Sequence, residues 1–168
     1  MWYVCPWCCQ GIPSDFPVQY IHNGILVNME NWVRDGTPPP HGAIIQTDAS
    51  GVVRDANGNA LGGVRTPYVD VPVKRYSPYS GFCPTCPNTP GLCGYNPTTI
   101  CGSCSNWCVI LGNVAPFDET KLENLYKNHG GYVSKFVKNT QQLFKNGWVT
   151  EADMEIMKTK AAESDVLK

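Results

Sequence analysis

The sequence predicts a fold that mixes helices with a few short strands. Apolar residues recur every three or four positions in an early segment, and short β-prone stretches separated by turn residues follow it. Capped apolar helices then fill the C-terminal third, after a segment rich in cysteine, proline and asparagine. We therefore expect four regions, at residues 1–42, 43–75, 76–112 and 113–168.

The composition is typical of a loop-rich globular protein. The 168 residues include 16 Gly and 14 Pro, whereas charged residues are 16% and aromatic residues 11%. Disordered chains have few aromatics, so this chain is suited to burying a core. The net charge of −1 and the lack of a basic cluster argue against a nucleic-acid partner. No apolar run approaches the ~20 residues that span a bilayer, and no cofactor is expected.

The opening residues, MWYVCPWCCQ, lack the layout of a signal peptide, because no basic stretch or uninterrupted apolar core is present. Trp2, Tyr3 and Trp7 would form an exposed aromatic patch unless another part of the protein covers them. We interpret the chain as one that begins inside a larger domain. The expected partner is the upstream part of the same protein or a companion chain, and an oligomeric assembly stays open.

The first predicted element is a helix over about residues 17–34. Ser14 or Asp15 is the expected N-cap, and Pro17 is tolerated in the first turn. Gly36 provides a left-handed stop, and three prolines follow it. The helical spacing of its apolar residues predicts a buried stripe, formed by Val18, Ile21, Ile25, Met29, Trp32 and Val33.

Short strands and turns follow this helix. Residues 43–47 and 52–54 are predicted to be strands, and Asn57-Gly58 is a strong turn signal because both positions accept positive φ. The pair Gly62-Gly63 predicts positive φ or a close backbone approach. Residues 67–73 are β-prone but contain two prolines, which predicts an extended path at a sheet edge.

Three helices are expected after residue 113. Asp118 is the predicted cap of the first, which the glycine pair 130–131 would end. Gly147 would close the second, whose apolar residues run from position 132 to 144. Thr150 with Asp153 resembles a capping box for the third.

Cysteines are the most unusual part of the composition. Six of the nine lie between residues 82 and 109, and the full set is Cys5, Cys8, Cys9, Cys83, Cys86, Cys93, Cys101, Cys104 and Cys108. Their even number and polar, loop-rich setting favour three disulfides in this segment, and hence a secreted or luminal protein. The odd total leaves at least one thiol free or paired elsewhere, and the connectivity stays open.

Zinc binding is the competing interpretation of the same segment. Cys83-x-x-Cys86 and Cys101-x-x-Cys104 have the paired spacing of a zinc ribbon, in which four thiolates form a tetrahedron.

Residues with catalytic chemistry are few. His22 lies one position off the apolar stripe and is expected to be half-buried, and His41 lies in a loop without an acidic or thiol neighbour. His129 is expected at the C-terminus of its helix, where the dipole favours an imidazolium. No G-x-S-x-G motif is present, and no histidine has metal-ligand spacing. We predict no catalytic, cofactor-binding or metal-binding residue in this chain.

Arg65 and Asp70 are the residues of interest for a site. They are charged residues in a stretch where charges are scarce, which predicts a partly buried ion pair. A structural clamp that holds an irregular loop is the simpler interpretation. The functional alternative is that Arg65 lines a substrate pocket.

A series of stretches occurs in a characteristic order: NWVRDGTPPP at 31–40, VRDANGNALGGVR at 53–65, PYVDVP at 67–72, PFD at 116–118, Leu125-Tyr126, His129, and Tyr132-Val133. Together they resemble the C-terminal region of the alpha/beta-hydrolase-domain-containing protein family. The similarity spans about residues 14–165. The cysteine-rich segment departs from it and looks like an insertion.

The resemblance implies an α/β fold of which this chain is a fragment. The helix at 17–34 would be the last core helix, followed by a short β-hairpin, a cysteine-rich loop lobe and a C-terminal set of helices. The catalytic triad would lie upstream of Met1, so no catalytic residue is carried over. The complete protein would hydrolyse an ester or amide. The alternatives are a disulfide-stapled extracellular structural or interaction protein derived from a hydrolase, and a zinc-binding module.

Overall fold

A computed structural model describes residues 12–78 and 112–168. The chain divides into two compact units, one of Met1–Asp15 with Lys74–Pro116 and the other of Phe16–Val73 with Phe117–Lys168. All nine cysteines lie outside the described residues, and with them the predicted disulfides and the zinc-ribbon pairs. No helix in the described ranges is long and apolar enough to cross a membrane.

The described residues contain five short strands and five helices. The strands are β1 (Ile12–Pro13), β2 (Thr47–Asp48), β3 (Gly51–Val52), β4 (Lys74–Ser77) and β5 (Asn113–Pro116). The helices are α1 (Gln19–Asp35), α2 (Pro67–Asp70), α3 (Glu119–Tyr126), α4 (His129–Lys145) and α5 (Glu151–Glu163).

The first unit contains an antiparallel sheet with the order β1-β5-β4. Val114 on the central strand pairs with Ile12 on one side and Tyr76 on the other, and it is buried. The Lys74 ammonium lies 2.6 Å from the Asp15 carboxylate. This small sheet is therefore held by its ladder, one buried valine and an ion pair.

The second unit has its core on one face of α4. Phe136 and Leu143 of this helix are buried, and Met157 and Ala161 of α5 pack into the same cluster. Aromatic rings extend the cluster: the Tyr68 and Phe136 rings meet edge-on with centroids 5.2 Å apart. Buried aromatic pairs of this kind add to the stabilisation that area burial provides.

Two tyrosines anchor α3 and α4 to each other. The rings of Tyr126 and Tyr132 meet edge-on at 5.3 Å, and the Tyr126 hydroxyl donates to the Pro72 carbonyl at 2.8 Å. Burial raises the pKa of Tyr132 to about 12, because the phenolate would lose its hydration. Both hydroxyls therefore stay neutral in the folded protein at ordinary pH.

Helix caps confirm the C-terminal predictions in part. The Asp118 carboxylate accepts from the Lys121 N–H, and the Thr150 hydroxyl accepts from the Asp153 N–H. The glycine pair 130–131 does not end a helix, as predicted, but lies in the first turn of α4. A side chain at residue 131 would overlap the Tyr126 carbonyl, so glycine there allows α3 and α4 to join closely.

The prediction for α1 is right in its extent and wrong in its start. Gly36 has φ +72° and its N–H donates to the Trp32 carbonyl, which confirms the left-handed stop. The N-cap is Val18, which has no side-chain hydrogen bond, so neither Ser14 nor Asp15 caps the helix. The helix is instead held by contacts along its length.

The predicted buried stripe of α1 is wrong. Trp32 and Val33 are 55% and 88% exposed, and Val18, Ile25 and Met29 are also exposed, whereas Ile21 alone of the stripe is half-buried. The buried residues of α1 are Tyr20 and Gly24. The helix packs against its own unit through small and polar residues, and its apolar side faces outward.

The strand predictions overestimate length. β2 and β3 are two residues each and form a hairpin, and the flanking residues make only isolated bridges, Ala43 with Gly63 and Arg54 with Ala60. Residues 67–70 are helix α2 rather than an extended edge. Pro67 occupies the first helical turn, where its fixed φ suits a helix and its missing N–H needs no partner.

His129 begins α4, so the prediction that it lies at the C-terminus of its own helix is wrong. Its ring caps a different helix, α5. Nε2 lies 3.0 Å from the Ala162 carbonyl oxygen, and Nδ1 lies 2.8 Å from that of Val166. Lys168 Nζ donates to the Glu163 carbonyl at 2.8 Å. The terminal carbonyl groups of α5, which lack partners within the helix, are thus satisfied by side chains.

Replacement of His129 by Ala should loosen the end of α5 and residues 164–168, because two carbonyl oxygens lose their partner. Each hydrogen bond contributes roughly 1 kcal/mol, so local amide protection should fall by about tenfold or less than that per bond lost. Hydrogen exchange followed by mass spectrometry measures this. His22→Ala, a change at an exposed position on α1, is the control, and equal protection in both variants would contradict the capping role.

Candidate functional site

The turn at residues 55–59 is built around the Asp55 carboxylate. Its Oδ1 accepts from the backbone N–H groups of Asn57 and Asn59, each at 2.9 Å. Gly58 has φ +81°, and its N–H donates to the Asp55 carbonyl at 2.9 Å. The Asn-Gly turn prediction is therefore confirmed, and Asp55 is the residue that closes the turn.

The glycine pair at 62–63 allows the next segment to pass close to another stretch of backbone. Gly62 has φ +83°, and a side chain there would overlap the Ile44 carbonyl. Gly63 has φ +69°, and its N–H donates to the Ala43 carbonyl at 2.8 Å. Both predicted reasons for glycine, positive φ and close approach, are confirmed at Gly62.

Arg65 follows this pair and uses every nitrogen of its guanidinium within the loop. Nε lies 2.5 Å from Asp70 Oδ1, and Nη2 lies 2.7 Å from Asp55 Oδ2. Nη1 donates to the Ala60 carbonyl, and Nη2 lies 3.4 Å from the Val69 carbonyl. The arginine side chain is 23% exposed, so most of this network is shielded from water.

Asp70 extends the network to helix α4. This residue ends the short helix α2, and its Oδ2 accepts from the Asn139 side-chain amide at 3.1 Å. Residues 55, 65, 70 and 139 are called the Arg65 node below. The node connects the Asn-Gly turn, helix α2 and the middle of α4, which are far apart in the sequence.

The electrostatics of the node keep it fully charged. Burial alone would raise the pKa of Asp55, but hydrogen bonds from Arg65 and from the backbone of Asn59 and Asn57, together with the charge of Arg65, leave that pKa below its usual value. Burial likewise works against the charged form of Arg65, yet its two carboxylate partners raise the pKa of the guanidinium. The ion pairs therefore persist at neutral pH.

The node is suited to holding a loop rather than to chemistry. Its carboxylates are paired with a guanidinium, so neither is set up as a proton acceptor, and the guanidinium has no nitrogen left for a ligand. His22 and His41 are exposed and His129 contacts main-chain carbonyls. Within the described residues, no group of three or more His, Cys, Asp or Glu could hold a metal ion.

Sequence reasoning singled out Arg65 and Asp70, and the structure brings them together. It missed Asp55 and Asn139. For Asp55 a signal existed, because Asp two residues before Asn-Gly is typical of a side chain that closes a turn. For Asn139 no signal existed, since its partner lies 69 positions away.

The comparison with known proteins decides the family. The family described as alpha/beta hydrolase domain matches residues 3–159, nearly the whole chain. This chain belongs to the alpha/beta hydrolase domain family. No curated protein and no solved structure gives a significant match. The family match includes the Arg65 node, helix α1 and most of α5, so these belong to the hydrolase domain itself.

Replacement of Arg65 by Met should destabilise the protein by about 2–3 kcal/mol, because two partly buried carboxylates lose their counter-charge. Urea unfolding of the purified chain measures the free energy. Arg34→Met is a matched control, since Arg34 also has two acidic partners, Glu30 and Asp35, but on an exposed helix surface. Exposed pairs contribute little, so this variant should lose under about 0.5 kcal/mol. Equal losses would contradict the structural role of the node.

Proposed function

We propose that this chain is the C-terminal portion of a hydrolase that cleaves an ester or amide bond, and that it acts as scaffold. The catalytic nucleophile, base and acid are supplied by the upstream part of the same protein. The family match supports the hydrolase class. Acyl transfer by such a protein requires a nucleophile activated by a base and an oxyanion hole.

The observation that supports the scaffold role is how the motif residues use their polar groups. Arg65 and Asp70 are bonded to each other and to Asp55, and His129 is bonded to the end of α5. A general base needs a free ring nitrogen directed at a nucleophile. His129 instead has carbonyl oxygens at both nitrogens, so it is suited to holding a helix end.

The test is hydrolysis of p-nitrophenyl esters and anilides by the complete gene product and by this chain alone. We expect turnover by the complete protein and none above buffer by this chain, and a fluorophosphonate probe should label only the upstream part. Ester turnover by this chain that disappears in His129→Ala would contradict the scaffold role. An inactive, unlabelled complete protein would instead support a structural protein derived from a hydrolase.

We also propose that the six cysteines between residues 82 and 109 form three disulfides in an oxidising, secreted or luminal setting. Their clustering in a polar, loop-rich segment supports this. Intact mass before and after reduction should differ by two hydrogens per bridge, and alkylation without reduction should modify few thiols. Bound zinc together with alkylatable cysteines in the native protein would contradict the disulfides and support the zinc-binding alternative.

A further inference from the structure

We propose that the outward side of α1 is an interaction surface that packs on the apolar face of a β-sheet from the upstream part of the protein. This inference rests on the proposed function, because that sheet belongs to the proposed hydrolase core. The surface, called the α1 apolar face below, consists of residues more than a third exposed: Val18, Ile25, Leu26, Met29, Trp32 and Val33.

The α1 apolar face is continuous along the helix. Its residues recur at three- and four-residue steps, so they lie on one side of α1. From Val18 to Val33 the face is roughly 22 Å long at the rise of an α-helix. Exposed apolar residues scattered singly are ordinary, whereas a contiguous patch of this size marks a site of interaction.

The opposite side of α1 is fixed by specific contacts, so the helix cannot turn its apolar face inward. A side chain at Gly24 would overlap the Trp148 carbonyl, which shows how closely the two backbones approach. Asn28 donates to the Gly147 carbonyl at 2.8 Å, and Asn23 donates to the Asp153 carboxylate at 3.1 Å. Turning the helix would break these bonds and place bulky residues where only glycine fits.

The width of the face favours a sheet over a second helix. Neighbouring positions, 25 with 26 and 32 with 33, are both apolar, so the stripe is broader than the narrow seam of a coiled coil. A helix with a broad apolar stripe packs on a flat sheet in α/β proteins. The described part of the chain contains only two small antiparallel sheets, of two and three strands, and neither lies against this face.

The charges beside the face argue against a lipid surface as the partner. The last turns of α1 carry Glu30, Arg34 and Asp35, and the arginine is paired with both acids. A helix that lies on a membrane is rich in Lys and Arg on its polar side. The two acids and the single, neutralised arginine of α1 would gain nothing from anionic lipid.

The experiment compares Val33→Asp with Val27→Asp in this chain alone and in the complete gene product. Val33 lies on the α1 apolar face, whereas Val27 is 44% exposed on the other side of the same helix. In this chain alone, both variants should keep the wild-type Tm, because both positions face water. In the complete gene product, Val33→Asp should lower the Tm by about 5 °C or more, since it places a charge in an apolar interface, and Val27→Asp should not.

Each outcome decides the proposal separately from the hydrolase assay. An equal, small Tm change for both variants in the complete gene product would overturn the docking surface even if that protein is an active enzyme. A selective effect of Val33→Asp in an inactive protein would support the surface and leave only the hydrolase function refuted.

Two further measurements on this chain identify other occupants. A dimer in size-exclusion chromatography with light scattering that dissociates on Val33→Asp would show that a second copy covers the face. Co-sedimentation with phosphatidylglycerol vesicles that is lost in the same variant would show a lipid partner. Either result overturns the proposal of a sheet, whereas a monomer that ignores vesicles supports it.

Discussion

The close approach of α1 to the connection between α4 and α5 determines how the second unit presents its surface. Gly24 allows the backbone of α1 to reach the Trp148 carbonyl, and asparagines on either side bond to the same connection. Because this contact uses glycine and amide groups, it does not consume the apolar side of the helix. The helix is therefore held firmly while its hydrophobic residues face outward, which is the reverse of an ordinary amphipathic helix in a self-contained domain.

The Arg65 node has a similar role at the other side of the unit. A loop that contains several glycines loses much conformational entropy on folding, so it needs strong local contacts to adopt one structure. A guanidinium with fixed, forked donors can meet two carboxylates and a carbonyl at once. The node thus fixes the Asn-Gly turn, helix α2 and Asn139 of α4 with a single side chain. The same completeness leaves it without capacity for a substrate.

Sequence reasoning succeeded where the controlling interaction is local. The caps at Asp118 and Thr150, the left-handed stop at Gly36 and the turn at Asn57-Gly58 depend on residues within four positions of each other. It failed where a distant partner decides. The glycine pair 130–131 has the composition of a helix stop, yet Gly131 serves the close junction of two helices and Asn128 caps α4 in front of it.

The sequence by itself determined the family, the order of helices and turns, and the pairing candidates Arg65 and Asp70, because motif order and local propensity are written in neighbouring residues. Only the tertiary structure decided which side of α1 is buried, that Asp55 and Asn139 complete the node, and that His129 caps α5 rather than its own helix. The physical reason is that periodicity shows that a helix has an apolar side, but not what that side packs against. In this chain the contacts that hold α1 are polar and close, and they leave its apolar side for a partner.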